Sequence, residues 1–221
     1  TLHSPVKTPT PLPTDPTELV LLCCAAAAHH EERGEYARAI ESLELFWNGP
    51  GSHLTPDRLT TEAYATLLLR AGSLTGWLGS QRQVEGWQEQ AKDLLSESAG
   101  LFAGLSLMER YAETMRHLGI CYWREGSFAE ARLILQQALD VTPGQTDDWL
   151  ALKLSYALVE FSEEKHQVCL DIYAELAPTI DGRSDFLKGR FHNGLGIALK
   201  RVGEIDLAIV ELTAAAYHFG C

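Results

Sequence analysis

Positive charge is in short supply. Over 221 residues, 18 Lys and Arg stand against 30 Asp and Glu, a formal net charge of −12. A general nucleic-acid surface needs the opposite balance, because phosphate contacts draw on clustered cations. Direct nucleic-acid binding by this segment is therefore not expected, although a local basic patch stays open. Long apolar runs are lacking as well. Leu19 to Ala28 is uncharged and apolar for ten residues, against the ~18 that a membrane helix requires. It has the length of a signal-peptide core, but five prolines and a single cation, Lys7, precede it. Nor is it a lipoprotein site, since Leu22 stands before Cys23 where a small residue belongs. A buried Ala-rich helix, no membrane partner and a cytoplasmic location are the expectations.

Cysteine is sparse and odd in number, at five. No C-x-x-C occurs, which excludes a zinc knuckle and a thioredoxin-type pair. Free thiols packed in helices of a reducing compartment are expected. The sequence also lacks G-x-S-x-G, a phosphate-binding Gly-x4-Gly-Lys loop and G-x-G-x-x-G. His29-His30-Glu31-Glu32 is not a metalloprotease motif, because position 34, where the second His would fall, is Gly34. No catalytic residue, cofactor or metal is assigned. β-branched alternation bounded by turns is missing, so no strands are expected.

What is present is helix. Residues 1–17 hold five of the nine prolines and read as an extended arm, with Asp15 or Thr17 as the cap of the first helix. Beyond it, residues 18–221 read as one array of repeats. Residues 112–143 carry Leu118-Gly119, Tyr122, Ala131, Ala138 and Pro143 at the spacing W-x2-L-G-x2-Y, A-x3-F, P, with Met115 and Leu135 as apolar replacements. The same register returns in Leu195-Gly196, Leu199, Gly203, Ala208, Leu212 and Ala215. Fainter units surround Gly34, Gly79 and Cys169. The predicted units lie near 20–52, 62–104, 112–143, 148–181 and 187–220. Taking Gly34, Gly79, Gly126 and Gly203 as inter-helix turns gives separations of 45, 47 and 77 residues, the last being two units. These exceed the usual 34, and the excess in the second unit is placed near Ser80 to Glu89.

This register resembles the tetratricopeptide-repeat (TPR) superfamily over residues 18–220. The segments 76–80, 91–98, 121–126 and 187–193 are similar to those of large bacterial TPR proteins that carry a C-terminal helix-turn-helix. The resemblance implies an all-α, right-handed superhelix of about five antiparallel hairpins. It also implies a non-catalytic protein- or peptide-binding scaffold, as the sensory or partner-binding region of a regulator. The chain does not begin with Met and stops without a helix cap, so a fragment is expected.

In such an array the first helix of each hairpin lines the concave face. There the third hairpin offers Glu113, Arg116, Ile120, Trp123 and Arg124, and the last offers Arg190, Asn193, Ile197, Lys200 and Arg201, spaced to share a helix side. Residues 182–201 form a basic island within an acidic chain. Arg116, Trp123, Arg190, Asn193, Lys200 and Arg201 are the candidate groove, with an acidic group on the partner. A solvated helix face is the alternative for the cations, and inter-hairpin packing the alternative for Trp77, Trp87, Trp123 and Trp149. A homo-oligomer is the competing reading, built on Tyr217, Phe219 and Cys221.

Overall fold

A computed structural model describes residues 13–54 and 57–220; most of the proline-rich arm, and Cys221, lie outside the described residues. Ten α-helices follow in order: α1 (Pro16–Glu32), α2 (Tyr36–Glu41), α3 (Thr61–Arg82), α4 (Trp87–Gly104), α5 (Met108–Arg124), α6 (Phe128–Val141), α7 (Asp147–Ser162), α8 (His166–Leu176), α9 (Asp185–Val202) and α10 (Ile205–Phe219). They pair as five hairpins, and the first helices α1, α3, α5, α7 and α9 touch in succession. The expected all-α array of hairpins is what forms, with no strand among the described residues.

Local chemistry sets the helix starts. Asp15 accepts from Thr17 N at 3.3 Å, and Pro16 occupies the first turn of α1, where its missing N–H has no intrahelical use. Thr60, Thr146 and Ser184 cap α3, α7 and α9 in the same way.

Packing within the hairpins rests on one repeated contact. A methyl group on Gly72, Gly119 or Gly196 would lie 2.8, 2.9 or 2.8 Å from the Cγ of Leu95, Leu135 or Leu212. The second helix therefore approaches the first at the distance that glycine alone permits. In the fourth hairpin Ala157, fully buried, takes the corresponding place. Helix α9 carries two more such contacts. Gly194 leaves room for the Tyr173 ring of α8, and Gly189 for the Phe219 ring of α10.

One expectation about the second unit is corrected. Gly79 is not a turn residue: it lies inside α3, where a methyl group would meet Trp87 Cβ at 2.9 Å. The turn glycine is Gly86, with φ +82°, in the left-handed region that disfavours other residues. The extra length does fall near Ser80 to Glu89, largely as helix: α3 continues to Arg82 and α4 begins at Trp87. The first hairpin departs in the other direction. Helix α2 stops after six residues, and the irregular segment that follows seals the end of the array with Leu43 and Trp47, both fully buried.

The Gly119–Leu135 contact makes a direct prediction. Gly119→Val should lower the melting temperature by several degrees, since overpacking a core contact costs about 1–3 kcal/mol. Gly100→Ala, on α4 with open space around it, should raise it, by the ~1 kcal/mol that alanine gains over glycine in a helix. Thermal unfolding followed by circular dichroism would separate the two, and equal shifts would disprove the contact.

Candidate functional site

The first helices border a half-open cavity of about 760 Å³. Its walls come from both ends of the array: α1, the turn after it and the start of α2 supply Glu31, Gly34 and Tyr36, and the last hairpin supplies Phe186, Arg190, His218 and Phe219. The middle is lined by Arg70, Ser73 and Trp77 of α3, and by Glu113, Arg116, His117, Ile120, Trp123 and Arg124 of α5. All five α5 residues assigned to the concave face from helical spacing reach this cavity.

The predicted site residues divide. Arg116, Trp123 and Arg190 line one space. Asn193, Lys200 and Arg201 do not: they stand exposed on the C-terminal half of α9, and Arg201 faces Glu164 at 3.8 Å. The cavity meets only Asp185, Phe186 and Arg190 of this helix, because the superhelix carries the rest of α9 past the opening. Of the other tryptophans, Trp77 lines the wall, stacked on Tyr36 with ring centroids 3.8 Å apart. Trp87 packs on Gly79, and Trp149 packs on the core between α7 and α8.

Beneath the cavity lies a buried ionic triad. The Arg70 side chain, 5% exposed, reaches Glu31 of α1 at 3.5 Å and pairs closely with Glu113 of α5. Burial opposes the Arg70 charge, but Glu113 and Glu31 outweigh it and hold the guanidinium protonated. Burial likewise opposes the Glu113 charge, yet Arg70, Arg110 and Arg116 keep its pKa below the usual carboxylate range. For Glu31 burial prevails over Arg70 and raises the pKa.

A hydrogen-bonded relay crosses from this triad to the cavity wall. Arg116 Nη2 lies 3.0 Å from His117 Nε2, and arginine only donates, so Nε2 accepts. The single Ser73 hydroxyl proton goes to Glu31 Oε2 at 2.7 Å. Ser73 Oγ therefore accepts from His117 Nδ1–H at 3.0 Å. His117 is thereby a neutral Nδ1–H tautomer. Burial, then Arg116, Arg70, Arg124 and Arg190, push its pKa well below the ordinary value of 6.5. The remaining Glu31 oxygen, Oε1, is buried and accepts no hydrogen bond.

Three arginines on this wall lack a carboxylate within ion-pair distance among the described residues. Arg116 donates to His117. Arg190 donates to Ser155 Oγ at 3.4 Å and lies 5.7 Å over the Phe186 ring. Arg124 makes no hydrogen bond within the described part of the chain. Burial lowers the pKa of all three, that of Arg190 to about 10 with Arg116 adding to the effect. The arrangement holds surplus positive charge in a space walled by aromatic rings, which suits an anion.

Arg70, Ser73, His117 and Glu31 were not singled out in the sequence. Only Arg70 left a signal there, as a lone cation amid Leu67, Leu68, Leu69 and Ala71. The cysteines are set for packing: burial pushes Cys121 up to about 11 and Cys24 and Cys169 up to about 12. Among the described residues no group of His, Cys, Asp and Glu side chains gathers as a metal would need, and no helix is long and apolar enough to cross a membrane.

Neutral His117 gives a pH dependence of known sign. Above pH ~6.5 neither folded nor unfolded chain protonates it. Below that value the unfolded chain takes the proton and the folded one does not, so stability falls with acidification at up to about 1.4 kcal/mol per pH unit. Between pH 6.5 and 5.5 the wild-type chain should lose more stability in urea titrations than His117→Gln. Parallel pH profiles would count against the neutral relay.

No family model matches the sequence, and no curated protein matches it. Solved structures do. BtubC (BKLC) from P. vanneervenii superposes with a TM-score of 0.57 at 14% identity, over 92% of this chain and 82% of that one. A kinesin light chain-like protein of Podosopora anserina, with nearly identical TPR-like repeats, gives 0.52 at 16% identity, over 90% of this chain and 94% of that one. At such identities the likeness speaks for the architecture alone: this chain has the tetratricopeptide-repeat fold that the spacing of Leu118-Gly119, Tyr122, Ala131 and Ala138 led us to expect.

Proposed function

We propose that the protein is a non-catalytic binding scaffold whose concave cavity receives an acidic group of a protein or peptide partner. The observation that carries this reading is the convergence of Arg116, Arg124 and Arg190, none with a carboxylate counter-charge among the described residues, in a chain of net charge −12. A cation held partly out of water without a counter-ion is unfavourable, and a bound carboxylate or phosphate relieves it through charge-assisted hydrogen bonds. Trp123, on the same wall with its indole N–H donated to Ser162 Oγ at 2.7 Å, offers a rigid apolar contact of the kind favoured at binding hot spots. The resemblance of segments 76–80 and 121–126 to bacterial TPR proteins is what suggests a sensory or partner-binding role. Four free thiols among the described cysteines are in keeping with a cytoplasmic setting.

One observation favours a second reading, self-assembly. Leu207, Ile209 and Val210 of α10 are each more than half exposed, and a contiguous exposed apolar patch marks an interaction surface.

Each reading has its own test. A fluorescein-labelled peptide of six glutamates should bind the wild-type chain and bind Arg116→Glu or Arg190→Glu at least tenfold more weakly, by fluorescence polarisation at low salt. Undiminished affinity in both variants would sink the groove. For self-assembly, static light scattering should give an apparent mass that rises with concentration and returns to the monomer value in Ile209→Glu. A mass that stays at the monomer value at all concentrations would dismiss it.

A further inference from the structure

The geometry of the cavity narrows what it can hold. An open groove suits an extended chain, which advances ~3.3 Å per residue and must leave at both ends. Here the first and last hairpins border the same space, with Gly34 and Tyr36 on one side and Phe186 and Phe219 on the other. Its volume of about 760 Å³ falls within the ~300–1,000 Å³ typical of small-molecule pockets.

The wall chemistry has two parts. Arg116, Arg124 and Arg190 present guanidinium N–H donors from two helices, and none of the three is spent on a carboxylate of the described residues. The Tyr36–Trp77 pair, stacked at an interplanar angle of 12°, leaves only its outer faces and edges as apolar wall. Glu31 is turned to the chain itself: its Oε1 faces Arg70 at 3.5 Å and its Oε2 accepts from Ser73 at 2.7 Å. Of the other charged groups here, Glu32 has no ion pair among the described residues, Arg33 faces Glu35 at 3.4 Å, and the rest are committed. Arg70 and Arg110 satisfy Glu113, and Asp185 holds His218 at 2.8 Å.

We propose that this cavity is the binding site of a small anionic molecule that combines a phosphate or carboxylate group with a planar ring. The anion sits on Arg116, Arg124 and Arg190, and the ring packs on an outer face of the Tyr36–Trp77 stack. The proposal rests on the anion-binding reading above and replaces a peptide side chain by a whole compact ligand. Because the contacts come from α2, α3, α5 and α9, a bound molecule bridges the first hairpin to the last.

Isothermal titration of the full chain tests it. The probes are adenosine monophosphate and phosphotyrosine, with adenosine as the uncharged control and hexaglutamate as the peptide control. Saturable binding of either small anion is expected, with adenosine at least tenfold weaker. Arg116→Gln and Arg190→Gln should each weaken the anion at least tenfold, and Lys200→Gln, which removes the same charge outside the cavity, should not. Should the Gln variants lose helicity, Arg116→Lys and Arg190→Lys keep the charge and should bind with intermediate affinity. No binding of either anion at millimolar concentration overturns the proposal, as does adenosine binding equally well or indifference to the arginine variants. If hexaglutamate binds with the arginine dependence and neither small anion does, the small-ligand proposal falls while the peptide-binding reading stands. If nothing binds, both fall.

Discussion

The Arg70 guanidinium, held between Glu31 and Glu113, is the interaction on which the rest of the concave face depends. It lies on α3 and reaches a carboxylate on each neighbouring first helix, α1 and α5. Apolar contacts fix the spacing of hairpins but leave their rotation loosely determined; a buried charge with two directional partners restricts it. Removing one member of such a group strands the other charges out of water, at about 3–5 kcal/mol. The triad also spends the carboxylates nearest the cavity. That is why the arginines above it remain without counter-charge, and why an acidic protein can still present a cationic interior.

The relay from Arg116 through His117 and Ser73 to Glu31 ties this foundation to the wall. Each group in it has one arrangement of donors compatible with its neighbours. Arg116 is aimed by an acceptor nitrogen behind it, and keeps its other N–H groups for the cavity. A protonated His117 would turn that acceptor into a donor and push Arg116 away. The low pKa of His117 and the orientation of Arg116 are therefore two aspects of one constraint.

The parts of the fold legible in the sequence are those set within a single hairpin. Gly119 meets Leu135 because a fixed turn separates two regular helices, so the contact follows from spacing. Gly79 shows how that reasoning fails: a glycine serves equally as a left-handed turn or as a gap for a neighbour, and Trp87 on the partner helix decides between them. The site was legible where one helix determines it, at Arg116 and Trp123. Asn193, Lys200 and Arg201 share a helix with Arg190, but whether they meet the cavity depends on superhelical pitch, a property of five hairpins together. Glu31, Ser73 and His117 belong to three helices, and no local spacing brings them together. Arg70 was open to detection, since a cation flanked by Leu69 and Ala71 in an apolar run must find buried partners.

Helix α9 gives up intrinsic helicity to fit its surroundings. Gly189, Gly194 and Gly196 each make room for a different neighbour, and a glycine in a helix interior weakens it by about 1 kcal/mol relative to alanine. The helix that carries Arg190 is thus held in shape chiefly by Phe219, Tyr173 and Leu212 rather than by its own backbone. Local order in α9 and occupancy of the cavity become thermodynamically linked: anything that fixes Arg190 stiffens the end of the array, and whatever docks on that end alters how firmly Arg190 is held.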